Sequence, residues 1–266
     1  MQKFKINKMK KILSLIVFTN FHICYCQTVP PPPPPINKSQ KNYKKTDIDT
    51  KIIEVSDSKE NSENEVCNVE VYKIDSKYFI DKNSKYYYKT VEKKLNDVDL
   101  NISDEEIIAY TKYRNSSQFD PFKIDDIAYS IYKLNENSKF EEVIKLCDQL
   151  KSVSPNNITL FKELSFAYKK LGKTEISNKY FEMMKKIISA VEKYSDGYRI
   201  NPYILNNSFE GKSLYEAKFS LFPSKTRFIL TKTKKMIYGY DIYQIMRFAD
   251  LDHYKKYLKK GDYKIE

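Results

Sequence analysis

Two short runs in this 266-residue chain carry the ending of a phosphate loop, Gly172-Lys173-Thr174 and Gly211-Lys212-Ser213. Such a loop cradles phosphates with main-chain N–H groups and needs a glycine five residues before its Gly-Lys pair, with a strand leading in. Ala167 and Asn206 stand at those places, so no nucleotide site is expected. The histidines are His22 and His253. One histidine beyond the leader described below cannot build a histidine-based metal site or a Ser-His-Asp triad, and a solvated place on a tyrosine-rich surface suits His253 better. Cys67 and Cys147 could bridge in an oxidising compartment. Alternatively Cys147, on the apolar side of its helix, stays a buried free thiol. Carboxylates are plentiful, but no pair is singled out by spacing, so a two-carboxylate enzyme has no address here. No cofactor and no metal ion are expected.

The elements that would position any such group centre on Ile158 to Ile187. Phe161, Leu164, Tyr168 and Leu171 fall on one helical face, and Ile176, Tyr180, Phe181, Met184 and Ile187 on another. Gly172 marks a tight turn between them, and Ser165 and Ser177 are small where the helices would cross closely. Upstream, Ile124 to Asn157 repeats the arrangement: Ile127, Ile131 and Leu134, a turn at Asn137-Ser138, FEEVIKLCDQL, and Pro155-Asn156-Asn157 as the ending. These spacings resemble the tetratricopeptide repeat, a helical hairpin with a period of about 34 residues. Phe161, Leu164, Ser165, Tyr168, Gly172, Ser177 and Phe181 occupy the pattern's places, while Met184, Val143 and Cys147 depart from it. The resemblance implies a first helix in each hairpin lining a concave groove. Hairpins of this kind leave apolar ends that neighbours must cover.

The start of the chain reads as a secretory leader over residues 1–26. Lys10-Lys11 precede ILSLIVF, and Cys24 and Cys26 take the small positions before a cut at Gln27. A lipoprotein anchor competes, but Ile23 and Tyr25 are larger than that signal uses. Met9 is a more natural start than Met1. Cleavage would remove Lys3, Lys5, Lys8, Lys10 and Lys11 and no acids, lowering the formal charge from +12 to +7. The apolar run is too short to span a bilayer, so no transmembrane span is expected after cleavage, and the location is periplasmic or secreted. Residues 27–65 form a linker with a polyproline run at Pro30 to Pro35, stiff and extended. Proline runs serve as ligands for aromatic grooves or as plain spacers.

Residues 66–123 are expected to cap the hairpins with helices. CNVEVYKI is a short strand or the lead into a helix. Tyr86 to Asn96 reads as a helix, and Ser103 with Glu106 makes a capping box before IIAYTKY. Gln118-Phe119-Asp120-Pro121-Phe122 is read as a loop. The run from Ser84 to Lys123 also resembles the front of an uncharacterised family of secreted proteins from Bacteroidetes-type bacteria, catalogued only as a domain of unknown function. Tyr86 to Tyr88, Asp99, Ile102 to Glu105, Tyr110 with Tyr113, and Phe119 to Lys123 carry that likeness, and Ser195-Asp196-Gly197 carries its later part. It implies a fold and an exported life, and no activity. After the hairpins of residues 124–193, YILNNSF, YEAKFSLF, RFILTKTK and YDIYQIMRF are short aromatic and β-branched runs. They predict a small antiparallel sheet over residues 194–266, closed by a short terminal helix in DHYKKYLKK.

The fold class is therefore mainly α, helical hairpins with a small C-terminal β element. The lysines are scattered among Glu and Asp without a dense basic tract, so no nucleic-acid partner is expected. The leading expectation is an exported, non-enzymatic module binding a protein or peptide. The alternatives are a cell-envelope enzyme using carboxylates and tyrosines, and a basic binder of anionic surfaces. Tyr132 and Phe166 lie off the core faces and 34 residues apart (166 − 132), one repeat period. They are expected to stack side by side on the groove, with Lys162, Lys169 and Lys170 around the second ring. Burial of both rings by the cap or the sheet is the competing reading.

Overall fold

The structure is a computed structural model that describes residues 75–116, 119–242 and 245–266. The leader, the proline-rich linker, Cys67 and the CNVEVYKI run lie outside the described residues. The described chain is mainly helical with a small C-terminal sheet. Its helices are α1 (Lys77–Ile80), α2 (Tyr88–Asn96), α3 (Asp104–Ser116), α4 (Pro121–Glu136), α5 (Phe140–Val153), α6 (Ile158–Lys170), α7 (Thr174–Tyr194) and α8 (Ser208–Phe219). The strands are β1 (Tyr203–Ile204), β2 (Lys225–Leu230), β3 (Met236–Ile242), β4 (Ile245–Asp250) and β5 (Tyr263–Ile265).

The helix starts follow from side-chain caps that satisfy otherwise unpaired N–H groups. The Glu106 N–H donates to Ser103 Oγ at 3.2 Å, and the Ser103 N–H donates to Glu106 Oε2 at 2.8 Å, the reciprocal capping box of α3. Asp120 caps α4, accepting from the Phe122 N–H at 3.0 Å with Pro121 at the first helical position. Asn157 caps α6, accepting from the Thr159 N–H at 2.9 Å. Between α6 and α7, Gly172 takes a φ of +73°. At the turn between α4 and α5 a serine, Ser138, takes a φ of +57°.

α6 and α7 pack along each other. Phe161 and Leu164 are buried, as are Met184 and Ile187, whereas Ile176 is exposed. Phe181 is half-buried rather than enclosed. Ser177 Oγ donates to the Ser165 carbonyl at 2.7 Å, so the small pair joins the two helices as well as letting them approach. α3 packs on α7, and α2 on α3.

The region after α7 departs from the all-strand expectation. YEAKFSLF falls in α8 and the turn beyond it, and α8 packs on both α4 and α6. Asn207 caps α8, accepting from the Glu210 N–H at 2.8 Å. Hydrogen bonding at that cap outweighs the strand preference of the aromatic residues. The sheet order is β1-β4-β3-β2-β5. β2, β3 and β4 are antiparallel neighbours, but β1 joins β4 and β5 joins β2 in parallel, so the sheet is mixed. The run read as one strand from Tyr240 to Phe248 is a hairpin, with Ile242 paired to Ile245. Gly239 lies within β3, where a side chain would meet Met246. The DHYKKYLKK run forms only a 3-10 turn at Asp252–Tyr254.

Candidate functional site: an aromatic patch beside a buried polar seam

The structure distributes the expected groove residues between two places. Tyr132, on α4, stacks on Phe222 with ring centroids 5.6 Å apart and meets Phe209 at 5.8 Å. Phe166, on α6, pairs instead with Phe140 of α5 at 6.2 Å, under the Lys170 ammonium. The side-by-side stack does not form among the described ring pairs, because α8 inserts its own aromatics against α4. Lys169 is exposed. Lys162 lies over the Tyr132 ring at 5.3 Å rather than framing Phe166.

The rings around Tyr132 make a continuous patch. Phe209, at the start of α8, is its buried floor. Tyr129, one turn before Tyr132 on α4, meets Phe209 at 5.9 Å, and Phe209 meets Phe222 at 6.3 Å. Tyr129 is 51% exposed and Phe222 41%. Phe222 reaches the patch because α8 ends at Ser220 in the left-handed conformation, φ 55°. Lysines fringe the rings: Lys133 lies near Tyr129 and Tyr132, and Lys212 lies over Phe209 and Phe222 at 5.5 and 5.8 Å. Burial pushes the Lys212 ammonium down, with Asp125 opposing.

Beneath the patch runs a buried polar seam. Lys162 is ion-paired to Glu163 and, at 2.6 Å, to Glu216, with its side chain 15% exposed. Burial works against that ammonium, but the two carboxylates outweigh it and hold its pKa above the usual value. One lysine cannot neutralise two acids, and burial pushes Glu216 up. Asn135 donates to Glu163 at 2.6 Å. Asp125 accepts from the Tyr254 hydroxyl at 2.7 Å, the Phe209 N–H at 2.8 Å and Ser208 Oγ at 2.9 Å. Even so, burial pushes its carboxyl up to about 6. Glu210 accepts from the Ile158 N–H at 2.7 Å and the Asn206 N–H at 2.6 Å, and burial pushes it up to about 7. These acids brace α8 against the starts of α4 and α6.

His253 is not a solvated surface group. Its ring packs on Tyr254, Nε2 lies 2.9 Å from the Asn206 carbonyl, and burial holds its pKa below the usual value. Cys147 is a buried free thiol whose pKa burial raises. Lys212 of the second Gly-Lys pair sits on the aromatic patch, and Gly172 of the first is the α6–α7 turn. An open groove of about 500 Å³ lies at the start of α3, lined by Lys85, Ser103 to Glu106, Lys186 and Lys193. Its charges answer one another, Lys85 with Glu105 at 2.6 Å and Lys193 with Asp104 at 3.1 Å. Among the described residues no cluster of three or more His, Cys, Asp or Glu could hold a metal ion, and no helix is long and apolar enough to cross a membrane.

Periodicity in the sequence reached Tyr132 and Lys162. It missed Phe209, Lys212 and Phe222, because they belong to a helix and turn read as strand. The Asn207…Glu210 spacing was the signal for that helix. No protein-family model, curated protein or solved structure matches the chain.

Proposed function

We propose that this chain is an exported, non-enzymatic interaction module whose aromatic patch holds an extended peptide. The observation that carries the reading is the pair Tyr129 and Phe222, large rings left 51% and 41% exposed on a buried aromatic floor. Aromatics seated against a packed floor and fringed by long polar side chains are the usual anchors of peptide recognition. The tetratricopeptide-like spacing of α4 to α7 and the leader-like start are consistent with a repeat scaffold working outside the cytoplasm. The enzymatic alternative has less support. Asp125, Glu210 and Tyr254, the groups it would use, are committed to one another and to main-chain N–H groups inside the seam.

The test is affinity capture from the envelope fraction of the native host. Tyr129→Ala with Phe222→Ala is expected to abolish capture while shifting the melting temperature by less than about 2 °C, as surface changes do. Capture retained by the double variant would remove the patch as the binding face. A large fall in melting temperature would show that the rings are core.

A further inference from the structure

Three lysines reach the aromatic patch, and two of them already have acids of their own. Lys133 pairs with Glu136 at 2.6 Å. Lys162 pairs with Glu163 and Glu216. Lys212 differs: among the described residues it has no ion pair and no hydrogen bond. Asp125 acts on it only through space, its oxygens being taken by Tyr254, Ser208 and the Phe209 N–H. The Lys212 side chain is half-buried, so its ammonium has lost part of its water without gaining a partner, a costly state for a cation. We infer that the patch takes an acidic peptide, an extended segment that lays an apolar side chain on Tyr129 and Phe222 and sets a nearby Asp or Glu carboxylate on the Lys212 ammonium. This rests on the interaction reading of the patch and names the class of peptide it holds.

Spacing and charge both support this ligand. The Lys212 ammonium stands 5.5 and 5.8 Å from the ring centres of Phe209 and Phe222, and Tyr129 meets Phe209 at 5.9 Å. In an extended chain, side chains two residues apart share a face and lie about 7 Å from one another. An apolar residue on the rings therefore brings the side chain two positions on to the ammonium. Charge then selects a carboxylate, because a half-buried cation regains in an ion pair what it loses in water. The surroundings favour one carboxylate over a dense polyanion. Glu136 accepts from the Tyr132 hydroxyl at 2.9 Å, and Glu163 and Glu216 share Lys162 over the same ring. Acids on that side repel a run of phosphates, whereas a single carboxylate at Lys212 meets the unpaired charge alone.

The experiment titrates the full chain calorimetrically with two synthetic peptides, SFSESLSES and its glutamine counterpart SFSQSLSQS. Both are acetylated and amidated, so that only side-chain carboxylates differ. The wild type is expected to bind the glutamate peptide at least about tenfold tighter, the usual factor for a charge-assisted contact. Lys212→Met keeps the apolar stem and should bind the two peptides equally, and Lys212→Arg should restore the preference. Equal affinity of the wild type for both peptides overturns the inference, and this comparison needs no variant to fold. A preference that survives in Lys212→Met overturns the assignment to that lysine. Binding to phosphatidylglycerol vesicles that Lys212→Met loses, with neither peptide bound, assigns the ammonium to a lipid surface and overturns the peptide. If the glutamate preference is absent while Tyr129→Ala with Phe222→Ala still abolishes envelope capture, this inference falls and the broader interaction reading stands.

Discussion

The Tyr254 hydroxyl donates to the Asp125 carboxylate across 2.7 Å, joining residues 129 positions apart in the chain. The same oxygen accepts from the Ser208 N–H at 2.9 Å. One fully buried phenol therefore ties the end of the sheet, the start of α4 and the start of α8. Tyr254→Phe keeps the ring and deletes both bonds, leaving the Ser208 N–H without its acceptor and Asp125 with one donor fewer. Unsatisfied buried groups of this kind cost about 1–3 kcal/mol. A urea titration should show a loss of that size, and a loss below about 0.5 kcal/mol would mean the hydroxyl is idle.

Asp125 gives the protein a pH dependence of unusual sign. Burial, working against its three donors, raises its pKa to about 6, while an aspartate in an unfolded chain titrates near about 3.9. Between those values the native state holds more protons than the unfolded state, so this group's contribution to stability falls as pH rises. The span of roughly two pH units corresponds to about 3 kcal/mol lost by neutral pH. Asp125→Asn keeps one acceptor oxygen and removes the titration. Glu210 and Lys212, the charged neighbours on α8, remain in both proteins and largely cancel. The variant should therefore gain on the wild type by about 2–3 kcal/mol as pH rises from about 4 to about 7. Parallel stability curves would contradict the assignment.

What the sequence disclosed, and what it hid, divides by the range of the interaction. Ser103 with Glu106, Asp120 with Pro121, Asn157 and Gly172 act over a few residues, and each marks the helix boundary its chemistry implies. The Phe161–Leu164 face was visible because burial imposes a period on one helix. By contrast β1 and β5 are two and three residues long, and their parallel partners come from distant parts of the chain, so no local pattern marks them. α8 was hidden by its composition. Tyr215, Phe219, Leu221 and Phe222 favour strand locally, yet the Asn207 cap and the buried Glu210 commit the segment to helix. The patch followed the same division: Tyr132 was legible on α4, and the Phe209 and Phe222 that take its ring were not.

Gly211 tests how closely α8 approaches the sheet. Glycine inside a helix is ordinarily worth replacing, alanine being better by about 1 kcal/mol. Here a Cβ would lie 2.2 Å from both Cζ and the hydroxyl of Tyr240. Tyr240 is fully buried and donates to the Ser208 carbonyl at 2.9 Å, so its ring is held in place. Gly211→Ala should therefore destabilise, with an overpacking cost of about 1–3 kcal/mol. Adding Tyr240→Phe removes the clashing oxygen and should recover part of the loss, a coupling that a double-mutant cycle reads directly. An alanine variant as stable as the wild type would show that α8 stands further from β3.

The last prediction concerns whether α4 to α7 can stand alone. A fragment from Ile124 to Val191 keeps α5 and α6 whole and α4 and α7 without their outer residues, but discards α8, α3 and the sheet. Without α8, the Ile158 N–H loses its Glu210 acceptor at 2.7 Å and the Thr159 hydroxyl loses Ser213 at 2.8 Å. Lys162 also loses Glu216, which leaves it paired only with Glu163. Phe209 no longer covers Tyr132, and α7 loses its packing on α3. Each uncovered face exposes apolar area whose burial was stabilising. The fragment should lack a cooperative thermal transition by circular dichroism. Extending it to residues 103–219 restores α3 and α8 and should bring the transition back. A cooperative melt in the short fragment would mean that α4 to α7 are self-sufficient and that the seam under α8 serves something other than stability.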